Sequence, residues 1–102
     1  MSGFKLTPRA EEGLLRIVNY VEQKFGAQVC DRVLGSIEEA LQQLAEMPLS
    51  GHLREDLTED ASIRFTNVGP SLIAYRCERS PIEILFIERG EMDWERLLGE
   101  LL

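Results

Sequence analysis

Apolar residues along this chain follow a helical rhythm first and a strand rhythm later. Between Thr7 and Gly26, Ala10, Leu14, Ile17, Val18, Val21 and Phe25 recur at three- and four-residue steps, the spacing of one buried helical stripe. Thr7 can cap the free N–H groups at the start, and Pro8 suits the first helical position. Glu11 and Glu12 lie in the first turn, favourable against the positive helix end. Gly26 ends the helix by accepting a left-handed conformation. Ala27 to Met47 then carries Cys30, Val33, Leu34, Ile37, Leu41 and Leu44 on one side and Glu38, Glu39, Gln42 and Gln43 on the other. Pro48 stops it, having no N–H to donate and pushing Met47 out of helical geometry. Twenty residues make a rod roughly 30 Å long. The short link at Gly26 forces the two helices into an antiparallel hairpin.

The strand rhythm is shorter. Phe4-Lys5-Leu6 reads as a first strand. Ile63 to Val68 places Ile63 and Phe65 on one face and Arg64, Thr66 and Val68 on the other. Gly69-Pro70 turns the chain into a returning strand, Ser71 to Cys77, and Arg79-Ser80-Pro81 turns it again. Ile82 to Ile87 is apolar except for Glu83, which suits a central strand covered on both faces. Glu88 to Asp93 leaves the sheet through Gly90, and Asp93 caps a short helix carrying Trp94, Leu97, Leu98, Leu101 and Leu102. The expected fold is α+β: an N-terminal strand, an antiparallel helical hairpin packed on one face of a mainly antiparallel sheet of about four strands, and a short C-terminal helix. Leu49 to Ser62 is the one long loop. Glu55, Asp56, Glu59 and Asp60 make it either a solvated connector or a docking surface for a basic partner.

Composition narrows the function. A chain of 102 residues with 44% hydrophobic residues is read as one domain over residues 1–102. No apolar run approaches the ~20 residues needed to span a bilayer, and the N-terminus lacks the apolar segment of a signal peptide. The expected location is the cytoplasm, away from membranes. Eighteen acidic residues against eleven basic ones give a net charge of −7. Gripping nucleic acid needs a basic face, so protein partners are favoured and no direct nucleic-acid contact is expected. Cys30 and Cys77 have neither metal nor redox spacing and read as free core thiols; His52 stands alone. No metal or cofactor is implied, and no nucleotide loop or nucleophile elbow is present.

The remaining candidates lie on the sheet. A tight turn at Val68–Ser71 sets Arg64 opposite Tyr75 on one face and Arg76 opposite Ile63 on the other. Arg64 beside Tyr75 could bind a phosphate and position a hydroxyl, or could support the sheet edge as a stacked pair. Arg89 could join them, or form salt bridges with Glu88, Glu91 and Asp93. Trp94 reads as a core anchor or sheet cover, with partner contact as its functional alternative; Leu97 and Leu98 share its helix.

Leu6-Thr7-Pro8-Arg9-Ala10-Glu11-Glu12, Leu41 to Pro48 with Ser50-Gly51 after it, the hairpin Ile63-Arg64 through Ile73-Ala74-Tyr75-Arg76, and Ile84 to Gly90 with Asp93 to Leu98 follow one another in an order that resembles the ParE/RelE toxins of bacterial type II toxin–antitoxin systems. The resemblance covers nearly the whole chain and implies an antitoxin partner. RelE-like members cut messenger RNA on the ribosome, and ParE-like members poison DNA gyrase without cutting anything. This sequence departs from the ribonuclease pattern. Glu88 stands where related sequences often carry histidine, and Glu91 and Met92 where basic residues are common. An RNA-cleaving site needs cations where charge develops. The resemblance therefore implies the toxin of a plasmid-stabilisation system, ParE-like, with no catalytic residues, acting on gyrase and neutralised by a cognate antitoxin. The alternatives are a RelE-like endoribonuclease using Arg64, Tyr75 and Arg89, or an inactive member that only binds antitoxin. Trp94, Leu97 and Leu98 are the expected partner-binding residues.

Overall fold

A computed structural model describes residues 3–101. Its elements run β1 (Phe4–Leu6), α1 (Pro8–Phe25), α2 (Ala27–Glu46), β2 (Ile63–Val68), β3 (Ser71–Arg76), β4 (Ile82–Arg89) and α3 (Trp94–Gly99). The order and type match the expected α+β fold. Leu102, expected on the last helix, lies outside the described residues, and Leu101 falls in a turn just beyond α3.

The caps work as the sequence implies. Thr7 Oγ1 accepts the Ala10 N–H at 3.1 Å, and Gly26, at φ 88°, closes α1 and opens α2. Met47 leaves helical geometry at φ −131°, ψ 77°, as the following proline requires. Asp93 caps α3 through the Arg96 N–H.

The sheet runs β1-β4-β3-β2. β2, β3 and β4 form the antiparallel meander, whereas β1 pairs parallel to β4, Phe4 opposite Ile82 and Leu6 opposite Ile84. β4 is thus the central strand that its apolar run indicated. It also runs two residues further than expected: Glu88 pairs with Leu72 and Arg89 with Ser71. A bulge between β3 and β4 sets Ala74 against Phe86 and Tyr75 against Ile84, leaving Leu85 extra. The extra residue puts Leu85 and Phe86, neighbours in sequence, into the same apolar cluster.

The sheet is covered on both faces. One cluster joins Ile17, Val21, Cys30, Ile37, Leu41 and Leu44 of the hairpin to Ile73, Tyr75, Ile84 and Ile87. On the other face, Ile63, Phe65, Leu72, Ala74, Leu85 and Phe86 pack with Trp94, Leu97 and Leu98. A hairpin on a single face was the expectation; α3 supplies the second cover.

α1 seats itself on the edge of β4 where the short β1 has ended. The Thr7 N–H donates to the Ile84 carbonyl at 3.0 Å, and the Thr7 hydroxyl donates to that of Leu85 at 2.9 Å. Nearly two turns later Gly13 lies so close that an added Cβ would clash with the Ile87 carbonyl oxygen.

Candidate functional site

Arg64 and Tyr75 are cross-strand neighbours, as the turn position implied, and both hold the backbone of the loop that follows α2. Tyr75 is wholly buried. Its hydroxyl donates to the Pro48 carbonyl at 2.7 Å and accepts the Gly51 N–H at 2.9 Å. Burial pushes the phenol pKa up, against the opposing pull of that N–H. This is the wrong direction for proton transfer near neutral pH. Arg64 Nη1 donates to the Gly51 carbonyl at 2.9 Å and the Leu49 carbonyl at 3.4 Å. Its Nε is buried without a hydrogen-bond partner among the described residues. The pair therefore clamps Pro48, Leu49 and Gly51, at the start of the long loop, onto β2 and β3. The His52 and Phe65 backbones complete the clamp, exchanging hydrogen bonds of 2.7 and 2.8 Å.

Gly51 is the residue that makes this closure possible, and sequence reading assigned it no role beyond the loop. A Cβ there would meet Tyr75 Oη at 2.4 Å and the Phe65 carbonyl oxygen at 2.9 Å. The acidic end of the loop is partly matched within the chain. Arg54 holds both carboxylate oxygens of Asp56 and keeps its pKa below the usual range. Asp60 bonds Ser62 and pairs with Arg76.

Arg89 does not join Arg64 and Tyr75. It sits opposite Ser71, four ladder positions from the Tyr75 level, or about 13 Å along the strand. Its guanidinium lies 4.7 Å from the centre of the Tyr20 ring and pairs with Glu91 at 2.8 Å. Glu88 is not its partner: that carboxylate is buried and pairs with Arg16 of α1. Asp93 turns instead to α3 and Arg96.

Trp94, Leu97 and Leu98 are buried in the chain's own core. Trp94 packs edge-on against Phe65 and Phe86, with ring centres 6.2 and 6.1 Å away, and donates its indole N–H to the Arg89 carbonyl. The anchor reading of Trp94 therefore describes its place. As folded, these three residues offer a partner no exposed surface.

Exposed apolar residues lie elsewhere, Leu15, Met47, Leu49 and Leu53 singly and others around a groove. A groove of about 470 Å³ opens between the hairpin tip and the end of the sheet. Ile17, Val21, Val29, Val33 and Val68 line it, with Tyr20, Phe25 and Met92 among its exposed walls and Arg16 and Arg89 at its edge. Sequence reading listed several of these as stripe residues without seeing that the stripe runs past its cover. Among the described residues no group of three or more His, Cys, Asp or Glu is placed to hold a metal, and no helix is long and apolar enough to cross a membrane.

The sequence model of a family described as the ParE toxin of the type II toxin–antitoxin system, parDE, matches residues 4–94. The chain belongs to the ParE toxin family. The match runs from β1 to the first residue of α3, so it takes in the hairpin, the loop clamp and the whole sheet. A solved structure titled "Chromosomal ParDE TA system from P. aeruginosa" resembles it in fold, with a TM-score of 0.73 and 24% identity, covering 89% of this chain and 98% of that one. Comparison with curated proteins returns no match. In this ParE-family chain, the residues that an endoribonuclease reading would recruit are committed to holding a loop or separated along the sheet.

Proposed function

We propose that this chain is the toxin of a type II toxin–antitoxin pair, that it inhibits DNA gyrase by binding it, and that a cognate antitoxin neutralises it. Membership of the ParE family over residues 4–94 carries this reading. The geometry is consistent with a binder. The Tyr75 hydroxyl and Arg64 Nη1 are engaged by the backbone of Pro48, Leu49 and Gly51, and Arg89 stands apart from them. The net charge of −7 also favours protein contacts over phosphate contacts.

The test is a supercoiling and cleavage assay with purified gyrase. Accumulation of cleaved DNA on adding the protein, reversed by the antitoxin encoded beside its gene, is the expected result. Unimpaired gyrase at saturating protein would remove gyrase as the target. Ribosome-dependent mRNA cleavage abolished by Arg64→Ala would replace the proposal with the endoribonuclease reading.

A further inference from the structure

The two edges of the sheet are built differently. At one side stands β1, three residues long with the exposed Lys5 at its centre. At the other stands β2, six residues long, or about 20 Å of strand. A very short edge with a lysine on it discourages further pairing. β2 has neither defence: Ile63-Arg64-Phe65-Thr66-Asn67-Val68 carries no lysine, proline or carboxylate. Left bare, a strand of that length and composition is a template for another chain.

β2 is not left bare. Backbone groups alternate along an antiparallel edge, so Arg64, Thr66 and Val68 face β3 while Ile63, Phe65 and Asn67 face outward. The Phe65 N–H donates to the His52 carbonyl at 2.8 Å, and the Phe65 carbonyl accepts the His52 N–H at 2.7 Å. The Ile63 N–H donates to the Asp60 carbonyl at 3.2 Å. Two of the three outward N–H groups are thus taken by the long loop, and Asn67, next to the turn, stays exposed.

The covering segment is not a strand of its own. His52 makes one isolated bridge to Phe65. The backbone on its N-terminal side is held by side chains from the sheet. Tyr75 of β3 takes the Pro48 carbonyl and the Gly51 N–H, and Arg64 of β2 takes the Leu49 and Gly51 carbonyls. Tyr75 is wholly buried. Lifting the segment would leave its hydroxyl without partners, which is costly in a dry site.

We infer that residues 48–53 are a strap that closes the β2 edge to strand addition, and that the strand it keeps out is β2 of a second copy of this chain. An antiparallel edge is complementary to itself, so two uncovered copies pair about a two-fold axis into one continuous sheet. The strap blocks self-assembly by that route and turns any extended partner away from β2. This holds whether or not the chain acts on gyrase.

The experiment joins residue-resolved amide hydrogen exchange to sedimentation over a range of concentrations. Tyr75→Phe with Arg64→Ala removes both side-chain holds. His52→Pro removes the strap's own donor at an exposed position and leaves the side chains of the sheet untouched. Each is also made with Asn67→Pro, which deletes an outward N–H from the edge. Circular dichroism melts check folding, and where the double variant does not fold, His52→Pro decides alone. In the wild type the Phe65 amide should exchange slowly. In the strap variants at low concentration it should exchange about tenfold faster. As concentration rises, the variants should associate beyond the wild type, and protection of Phe65 should return. Adding Asn67→Pro should keep the fast exchange and remove the association. Wild-type exchange of Phe65 at the rate of an unstructured amide would show that no strap is held there. Exchange in the variants as slow as in the wild type would show that the edge is guarded by something else. Variants with an open Phe65 amide that sediment like the wild type, or that associate equally well with Asn67→Pro, would show that β2 is not a self-pairing edge. Each of these three results overturns the inference.

Discussion

Tyr75 shows how a residue that looks reactive in sequence can be structural in the fold. Its hydroxyl satisfies the Gly51 N–H and the Pro48 carbonyl at once. Tyr75→Phe leaves both backbone groups without that partner, and the expected loss is about 1–3 kcal/mol of stability, read from a urea midpoint. The same residue gives a pH signature. Its folded-state pKa is raised, chiefly by burial, so the folded chain keeps the proton after the unfolded chain has begun to lose it near pH ~10. The contribution is therefore complete below that pH and is lost as pH rises through the folded value. The wild-type midpoint should fall more steeply than that of Tyr75→Phe as pH rises above about 10; parallel curves would mean the phenol is not held in its buried, neutral form. Sequence pattern could place Arg64 opposite Tyr75, because register depends only on the turn. It could not reveal where the two polar tips go, because their partners are backbone atoms 13 to 27 residues away. Gly51 is the one local hint, a small residue just after a helix-ending proline.

At the scale of elements, the contact of α1 with β4 decides how the layers stack. Gly13→Ala raises intrinsic helix propensity by about 1 kcal/mol, so an unconstrained helix would gain stability. Here the new Cβ meets a main-chain carbonyl at 2.0 Å and the Glu88 carboxylate at 2.9 Å, and neither can give way without moving β4 or breaking the Arg16 pair. Overpacking of this kind costs about 1–3 kcal/mol, so the melting temperature should drop. A midpoint equal to or above wild type would show that α1 is not seated on that edge. The helices and the meander were legible because their periods, 3.6 and 2, persist over six to twenty residues. Three features were not. The parallel partner of β1 is more than 70 residues away. The bulge at Leu85 makes neighbouring side chains share a face, which breaks the alternation that pattern reading relies on. The continuation of β4 through Glu88 and Arg89 is masked by charge, since a buried Glu88 is tolerable only because Arg16 arrives from another element.

At the scale of the whole molecule, the two covered faces of the sheet limit how a partner can engage it. Burying Trp94, Leu97 and Leu98 stabilises the closed arrangement by roughly 5–9 kcal/mol on a per-side-chain basis. A nanomolar complex has about 12 kcal/mol in total. A partner that levered α3 away would use much of its binding energy doing so, unless it re-covered both the helix and the sheet face beneath it. The groove at the hairpin tip demands no such opening. Trp94 is the only tryptophan in the chain, so its fluorescence separates the two routes, provided an antitoxin free of tryptophan is used or its own tryptophans are replaced. The free protein should emit at short wavelength and resist acrylamide quenching, because the ring is 2% exposed and bounded by Phe65 and Phe86. Saturating antitoxin should leave both properties unchanged. A red shift with easier quenching on binding would mean that α3 opens, and would make Trp94, Leu97 and Leu98 contacts of the bound partner. Trp94→Ala provides the energetic counterpart: loss of about 3–5 kcal/mol of stability is expected for a core anchor, and a loss under about 1 kcal/mol would show that α3 is only loosely held.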